Sequence, residues 1–110
     1  MLYIKQAVFT PRTSVDRDIL PKFFLSLTEN SMYRPTVDDI GARPGFVRRE
    51  LHIIDDASGT KAINKIIFSS QESFAVYLAH EGSQMIWEYL AIMADGEGID
   101  FETSELIIEE

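Results

Sequence analysis

The residues best suited to proton transfer in this sequence lie on a segment where polar and apolar side chains alternate. Residues 46–55 have the period of a β-strand, which puts His52, Glu50 and Arg48 on one face. A histidine held by a carboxylate titrates near neutral pH and can move a proton to or from a phenol. Pairing with the next strand would bring Asn64 close enough to orient a substrate oxygen. We therefore predict His52, Glu50 and Asn64 as catalytic residues. The alternative is a structural network of Arg, Glu and His side chains at a dimer interface.

Other chemistries lack the residue patterns that they need. The pair His80-Glu81 does not begin a zinc-protease helix, because position 84 is Gln84, and the sequence contains no cysteine. His80 is more simply interpreted as a solvated residue near a helix break. Gly96-Glu97-Gly98 lacks the third glycine and the preceding strand of a dinucleotide fingerprint, and there is no Walker lysine. We expect no metal site and no cofactor.

Composition limits the class of protein further. With 110 residues, 45% of them hydrophobic, the chain suits one domain, residues 1–110. Eighteen acidic and ten basic residues give a net charge of −8, which disfavours binding to nucleic acid. No apolar run approaches the roughly 18 residues of a membrane span, and no secretory leader is visible, so we expect no membrane partner. The absence of cysteine fits a cytoplasmic location.

Periodicity predicts four strands and two helical regions that position these residues. The predicted strands are 2–9, 46–55, 61–69 and 99–109. A first helix should begin between Asp16 and Ile19, with Asp16 or Asp18 as its N-cap, and end near Glu29. A second should follow a capping box at 69–72 and run to Ala94, with an interruption at Gly82. Residues 30–45 are a long connection, interpreted as either a lid over a pocket or a wrapped segment.

The order of the elements predicts a fold. Strand, helix, two strands, helix and strand form the split βαβ pattern of a ferredoxin-like α+β domain, with a four-stranded antiparallel sheet and helices on one face. The uncovered sheet face is expected to carry Phe46, Ile54, Ile66 and Phe68, which is too much exposed hydrophobic surface for a monomer. We therefore predict a homodimer that packs sheet on sheet.

One stretch of the sequence resembles a known family. Pro44-Gly45-Phe46, the turn residues Asp55-Asp56, and the run from Phe68 to Phe74 are similar in type and spacing to the antibiotic biosynthesis monooxygenase family. The resemblance implies a dimeric α/β barrel with a pocket between sheet and helices in each subunit. It also implies oxidation of a quinol or polyketide without a cofactor.

Family signature residues are replaced at several positions. The family's tryptophan at the end of the third strand is Phe68 here, its helix histidine is Tyr77, and a second histidine falls at Gly82. Compared with the haem-degrading branch, the first-strand asparagine corresponds to Gln6 and the haem-ligating histidine to Trp87. Without that ligand, the resemblance does not extend to a haem oxygenase.

These positions predict which side chains line a pocket. The residues that we expect to contact a substrate are Gln6, Arg48, Phe68, Tyr77 and Trp87. Their rings, which are apolar with a polar tip in Tyr77 and Trp87, suit an aromatic ligand.

The predicted function is binding of a small aromatic or apolar molecule by a homodimer, with cofactor-independent monooxygenation as the candidate activity. The alternatives are a non-enzymatic ligand-binding or interaction module of the same fold, and an isomerase or lyase. A cavity of about 300 Å³ lined by His52, Asn64 and Tyr77 would favour ligand chemistry. A space filled by aromatic side chains would favour a scaffold.

Overall fold

Four strands and three helices make up the described part of the chain. The computed structural model describes residues 1–13, 18–29, 41–57 and 59–109. Its elements, in chain order, are β1 (Leu2–Pro11), α1 (Ile19–Thr28), β2 (Phe46–Asp56), β3 (Gly59–Phe68), α2 (Gln71–Ala79), α3 (Glu81–Gly96) and β4 (Ile99–Ile108). The predicted order is confirmed. Most of the 30–45 connection lies outside the described residues.

The strands form one antiparallel sheet in the order β2-β3-β1-β4. The ferredoxin-like α+β fold predicted from the element order is therefore confirmed. The central strands β1 and β3 pair Ile4 with Ile67, Ala7 with Asn64 and Phe9 with Ala62. A register shift in β2 between Phe46 and Arg48 marks a bulge at the start of that strand.

The register shows which side chains share each face of the sheet, because paired residues point the same way. The helix-covered face carries, on the two central strands, Tyr3, Lys5, Ala7, Phe9, Ala62, Asn64, Ile66 and Phe68. The opposite side, which we call the outer face, carries Ile4, Gln6, Val8, Arg48, Glu50, His52, Ile54, Ile63, Lys65, Ile67, Glu102, Ser104 and Leu106.

This assignment corrects one expectation. Ile66 and Phe68 are buried in the core cluster, and Phe46 packs against it, so these three side chains lie under the helices. Of the hydrophobic residues expected on the uncovered face, only Ile54 is there. Alternation identifies the residues that share a face, but it does not identify which face the helices cover.

The hydrophobic core lies between the sheet and the helices. Helix α1 contributes four residues at the predicted helical spacing, and α2 and α3 contribute the rest. The helix side chains in the core are Leu20, Phe23, Phe24, Leu27, Phe74, Tyr77, Ile86, Leu90 and Ala94. Within the part of the chain that is described, none of these helices has the length and apolar character needed to cross a membrane.

The helix ends differ in detail from the prediction. Asp18 occupies the N-cap of α1 without a side-chain capping bond, whereas Ser70 caps α2 by accepting a hydrogen bond from the Ser73 backbone N at 3.2 Å. The second helical region breaks at His80 and not at Gly82. The extended backbone of His80 ends α2, and its Nδ1 accepts a hydrogen bond from the Gly82 N at 3.1 Å, which begins α3. This break changes the direction of the chain between the two helices.

Gly45 joins the start of β2 to the first turn of α2. Its φ of +79° is in the left-handed region, and a Cβ at this position would lie 2.6 Å from Ser73 Oγ. The Gly45 carbonyl also accepts a hydrogen bond from the Ser69 N at 2.9 Å. Both the backbone conformation and the close approach therefore require glycine.

We expect Gly45→Ala to lower the free energy of unfolding by about 1–3 kcal/mol, because alanine is strained at this φ and collides with Ser73. Gly96→Ala is the matched control, since nothing lies within 4 Å of its added Cβ and Gly96 belongs to a helix. Urea unfolding followed by circular dichroism measures both. Equal stability of the two variants would contradict this role for Gly45.

Candidate functional site

The predicted proton-transfer residues lie on the outer face of β2. Glu50 accepts a hydrogen bond from Arg48 Nε at 2.6 Å, and its other carboxylate oxygen is 3.0 Å from His52 Nε2. The hydrogen bond to His52, followed by that to Arg48, holds the pKa of Glu50 below its usual range. The His52 side chain is 55% exposed and that of Glu50 is 24% exposed. The three side chains therefore form a hydrogen-bonded network within one chain.

Asn64 is on the other side of the sheet from His52. It is buried, with 3% of its surface exposed, and its Oδ1 accepts a hydrogen bond from Arg49 Nε at 3.0 Å. The residue paired with Asn64 on β2 is Leu51, whereas His52 pairs with Ile63. The expected proximity of His52 and Asn64 is therefore wrong. It required His52 to pair with Asn64 or with a residue two positions away from Asn64, whereas the actual pairing is shifted by one residue.

Gln6 also points to the outer face. Its neighbours across the sheet are Lys65 on β3 and Ser104 on β4. Gln6 and Arg48 are thus separated by the sheet from the aromatic residues that were predicted to line the same pocket.

A cavity of about 220 Å³ lies between the sheet and the helices. It is smaller than the expected volume, and its wall differs from the expected one in all residues except Tyr77 and Trp87. The lining side chains come from β1, α2, α3 and β4: Lys5, Tyr77, Leu78, Ser83, Gln84, Trp87 and Glu105.

A hydrogen bond between two aromatic side chains organises the wall of this cavity. Trp87 Nε1 donates to the Tyr77 hydroxyl at 2.7 Å. The two residues are on different helices, α2 and α3, and the break at His80 lets them meet. Behind them, the ring of Phe68 packs on that of Tyr77 with 5.0 Å between centroids. All three aromatic residues predicted for the pocket wall therefore lie together.

Polar groups of the cavity come from the edges of the wall. Lys5 Nζ lies 5.7 Å from the centre of the Trp87 ring and 3.6 Å from Glu105 Oε1. The sequence offered a signal for Lys5, because it is the charged residue on the otherwise apolar face Tyr3, Ala7 and Phe9. Ser83, Gln84 and Glu105 have no comparable local signal, since only the tertiary fold brings them to the cavity.

A second cavity of about 220 Å³ lies on the other side of Tyr77. It is formed where the segment before β2 meets α2, with the lining residues Arg43, Pro44, Glu72, Ser73, Val76 and Tyr77. Among residues 1–13, 18–29, 41–57 and 59–109, no three His, Cys, Asp or Glu side chains are grouped so that they could hold a metal ion.

Comparison with known proteins adds information on the fold. No protein-family model and no curated protein matches the chain. SnoaB, a cofactor-independent oxygenase from Streptomyces nogalater crystallised as an asparagine-to-alanine mutant, is similar in structure: the identity is 16% and the TM-score 0.62, over 99% of this chain and 94% of that one.

Two further solved structures are similar over nearly the whole chain. The monooxygenase from the gene ActVA-Orf6 of Streptomyces coelicolor, in complex with nanaomycin D, is 17% identical with a TM-score of 0.62, over 97% of this chain and 88% of that one. A dimeric ferredoxin-like protein from an uncultured marine organism is 12% identical with a TM-score of 0.64, over 99% and 97% of the two chains. The structural resemblance to monooxygenases of this type is thereby confirmed at the level of the fold.

The charges around Glu50 predict how stability depends on pH. Because the folded protein lowers the pKa of Glu50, this group stabilises the fold above its unfolded pKa, and the contribution is lost as the pH falls through the folded pKa. We expect Glu50→Gln to be less stable than the wild type at neutral pH and to approach it in acid. Glu102→Gln is the control, because Glu102 lies on β4 and points to the same outer face of the sheet as Glu50.

Urea unfolding at a series of pH values measures this difference. A gap between wild type and Glu50→Gln that stays constant from neutral to acidic pH would contradict the assigned network.

Proposed function

We propose that the chain forms a homodimer and that each subunit binds a small aromatic molecule in the cavity beside Tyr77 and Trp87. We further propose that it oxidises this molecule with O₂ and without a cofactor. The observation that carries the proposal is the hydrogen-bonded Tyr77–Trp87 wall, which lines an open space between sheet and helices. Flat aromatic rings with a fixed polar edge are typical of sites for aromatic ligands.

The proposed reaction needs few protein groups. A substrate with an activated methylene carbon loses a proton to form a carbanion, which supplies its own electrons to O₂. One oxygen atom stays on the carbon and the other leaves as water. The protein must bind the ring, limit access of water and accept a proton. Glu105 is the carboxylate in the cavity wall, and it can accept that proton.

The predicted site residues take different roles in this proposal. Tyr77 and Trp87 contact the ligand, and Phe68 supports Tyr77 from behind. Asn64 is held by Arg49 below the helices, on the same sheet face as the cavity.

The remaining predicted residues, Gln6, Arg48, Glu50 and His52, are proposed to stabilise the dimer. They share the outer face with two exposed hydrophobic residues of β4, Leu106 (36% exposed) and Ile108 (40% exposed). A second copy packed on this face would cover these side chains in an isologous interface. The marine neighbour is dimeric, which supports a dimer for this chain.

A non-enzymatic ligand-binding module is the second candidate. It is favoured by the volume of the cavity, about 220 Å³, which is below the range of most small-molecule sites. In either case we propose a single cytoplasmic domain, with no nucleic-acid or membrane partner.

Filling the cavity should weaken ligand binding. We expect Gln84→Phe to place a ring in the cavity and to lower the affinity for anthrone by about tenfold or more. The matched control is Met85→Phe, because Met85 is the next residue on α3 and is 58% exposed. Calorimetric titration under anaerobic conditions measures binding by both variants. Thermal unfolding verifies that both are folded.

The same variants test the reaction. Anthrone plus O₂ gives anthraquinone and water, so oxygen uptake above the uncatalysed rate should occur with wild type and Met85→Phe but not with Gln84→Phe. Binding without turnover would support the non-enzymatic module. Equal binding by all three proteins would contradict the proposed site.

The dimer has a separate test. We expect light scattering to show a dimer for the wild type and a monomer for Leu106→Glu, because a carboxylate on the outer face would be buried without a partner. Ile92→Glu is the control, since Ile92 is 70% exposed on α3. A monomeric wild type, or a dimer in both variants, would contradict an interface through the outer face.

A further inference from the structure

The first turn of α3 holds a buried hydroxyl group without a partner. Ser83 is only 2% exposed, and within the described part of the chain its Oγ has no hydrogen bond. Leaving a buried hydroxyl unsatisfied costs about 1–3 kcal/mol, so native structures rarely contain one without a reason. Ser83 lines the cavity beside Tyr77 and Trp87, which supplies a reason.

The surroundings of Ser83 favour a negatively charged ligand group. Ser83 is the third residue of α3, a helix of 16 residues, so it lies at the positive end of the helix dipole. Across the cavity, Lys5 provides an ammonium group on a side chain that is only 16% exposed. Lys5 Nζ forms an ion pair with Glu105, 3.6 Å from its Oε1, and this separation is longer than a hydrogen bond. The Lys5 ammonium can therefore donate to a ligand.

The neighbouring polar groups are one amide and two carboxylates. The Gln84 amide donates one Nε2 N–H to the Leu78 carbonyl at 3.1 Å, and its second N–H can add to the donors that face a ligand anion. Glu81, in the same first turn, and Glu105 are acidic and exposed, so water partly screens their charges, and Glu105 is ion-paired with Lys5 at the edge of the cavity.

We propose that Ser83 and Lys5 form a subsite for the ionised hydroxyl oxygen of an aromatic ligand whose ring lies against Trp87. This inference rests on the proposed function, since it names the class of ligand for the same cavity. The preferred ligand is thus a phenolate, and a matching ring with an uncharged ether in that position binds more weakly.

The test compares 4-nitrophenol, above and below its own pKa, with 4-nitroanisole, which has a methyl ether in place of the hydroxyl. Quenching of Trp87, the single tryptophan of the chain, reports binding. We expect the wild type to prefer 4-nitrophenolate. Ser83→Ala should lower the affinity for the phenolate by about tenfold while changing that for the ether by less than about twofold. Lys5→Gln should lower the same preference.

Stability gives an independent readout. Because Ser83→Ala removes an unsatisfied hydroxyl, the melting temperature of the ligand-free variant should equal or exceed that of the wild type. Ser26→Ala, whose hydroxyl donates to the Phe23 carbonyl on α1, should lose stability and keep the phenolate preference.

The outcomes separate the two proposals. If the wild type binds both probes equally, or if Ser83→Ala lowers the melting temperature and weakens both probes alike, the anionic subsite is wrong and the aromatic site survives. If the wild type binds neither probe, the proposed aromatic site fails, and the subsite fails with it.

Discussion

The hydrogen bond from the Trp87 indole to the Tyr77 hydroxyl is the interaction on which the rest of the candidate site depends. It joins α2 to α3 and fixes two rings at the edge of the cavity. It exists because the extended backbone at His80 ends one helix and starts the next. On one uninterrupted helix, residues ten positions apart would point about 80° away from each other. The break therefore creates the wall, and the wall defines the space in which a ligand can lie.

The sheet separates two sets of side chains. Its helix-covered face holds the core and the cavity, where Lys5 and the first turn of α3 bring polar groups to an apolar space. Its outer face holds the Arg48–Glu50–His52 network and the exposed Leu106. The proposed chemistry on one face and the proposed association on the other are compatible, because alternate residues of each strand point to opposite faces.

Much of this fold follows from the sequence. Hydrophobic residues that recur every two or every 3.6 positions can be recognised within a short segment, and so the order of strands and helices could be predicted. The face that the helices cover is not local, which is why Phe68 was expected on the wrong side. The separation of His52 from Asn64 depends on hairpin register, and register depends on turn and bulge geometry that composition does not determine. The helix break at His80 depends on a capping hydrogen bond that the His80 side chain accepts. In a sequence, a histidine is a weaker signal for the end of a helix than a glycine.

A ligand bound in the space beside Trp87 would change the environment of the Trp87 indole N–H. As the single tryptophan, it gives one indole signal in a ¹H–¹⁵N NMR spectrum. We expect titration with 2-naphthol to shift this signal in a saturable way, together with the signals of the backbone amides of Ser83 and Gln84. A saturable shift of other signals with the Trp87 indole unchanged, or no saturable shift at all, would contradict a ligand site in this space.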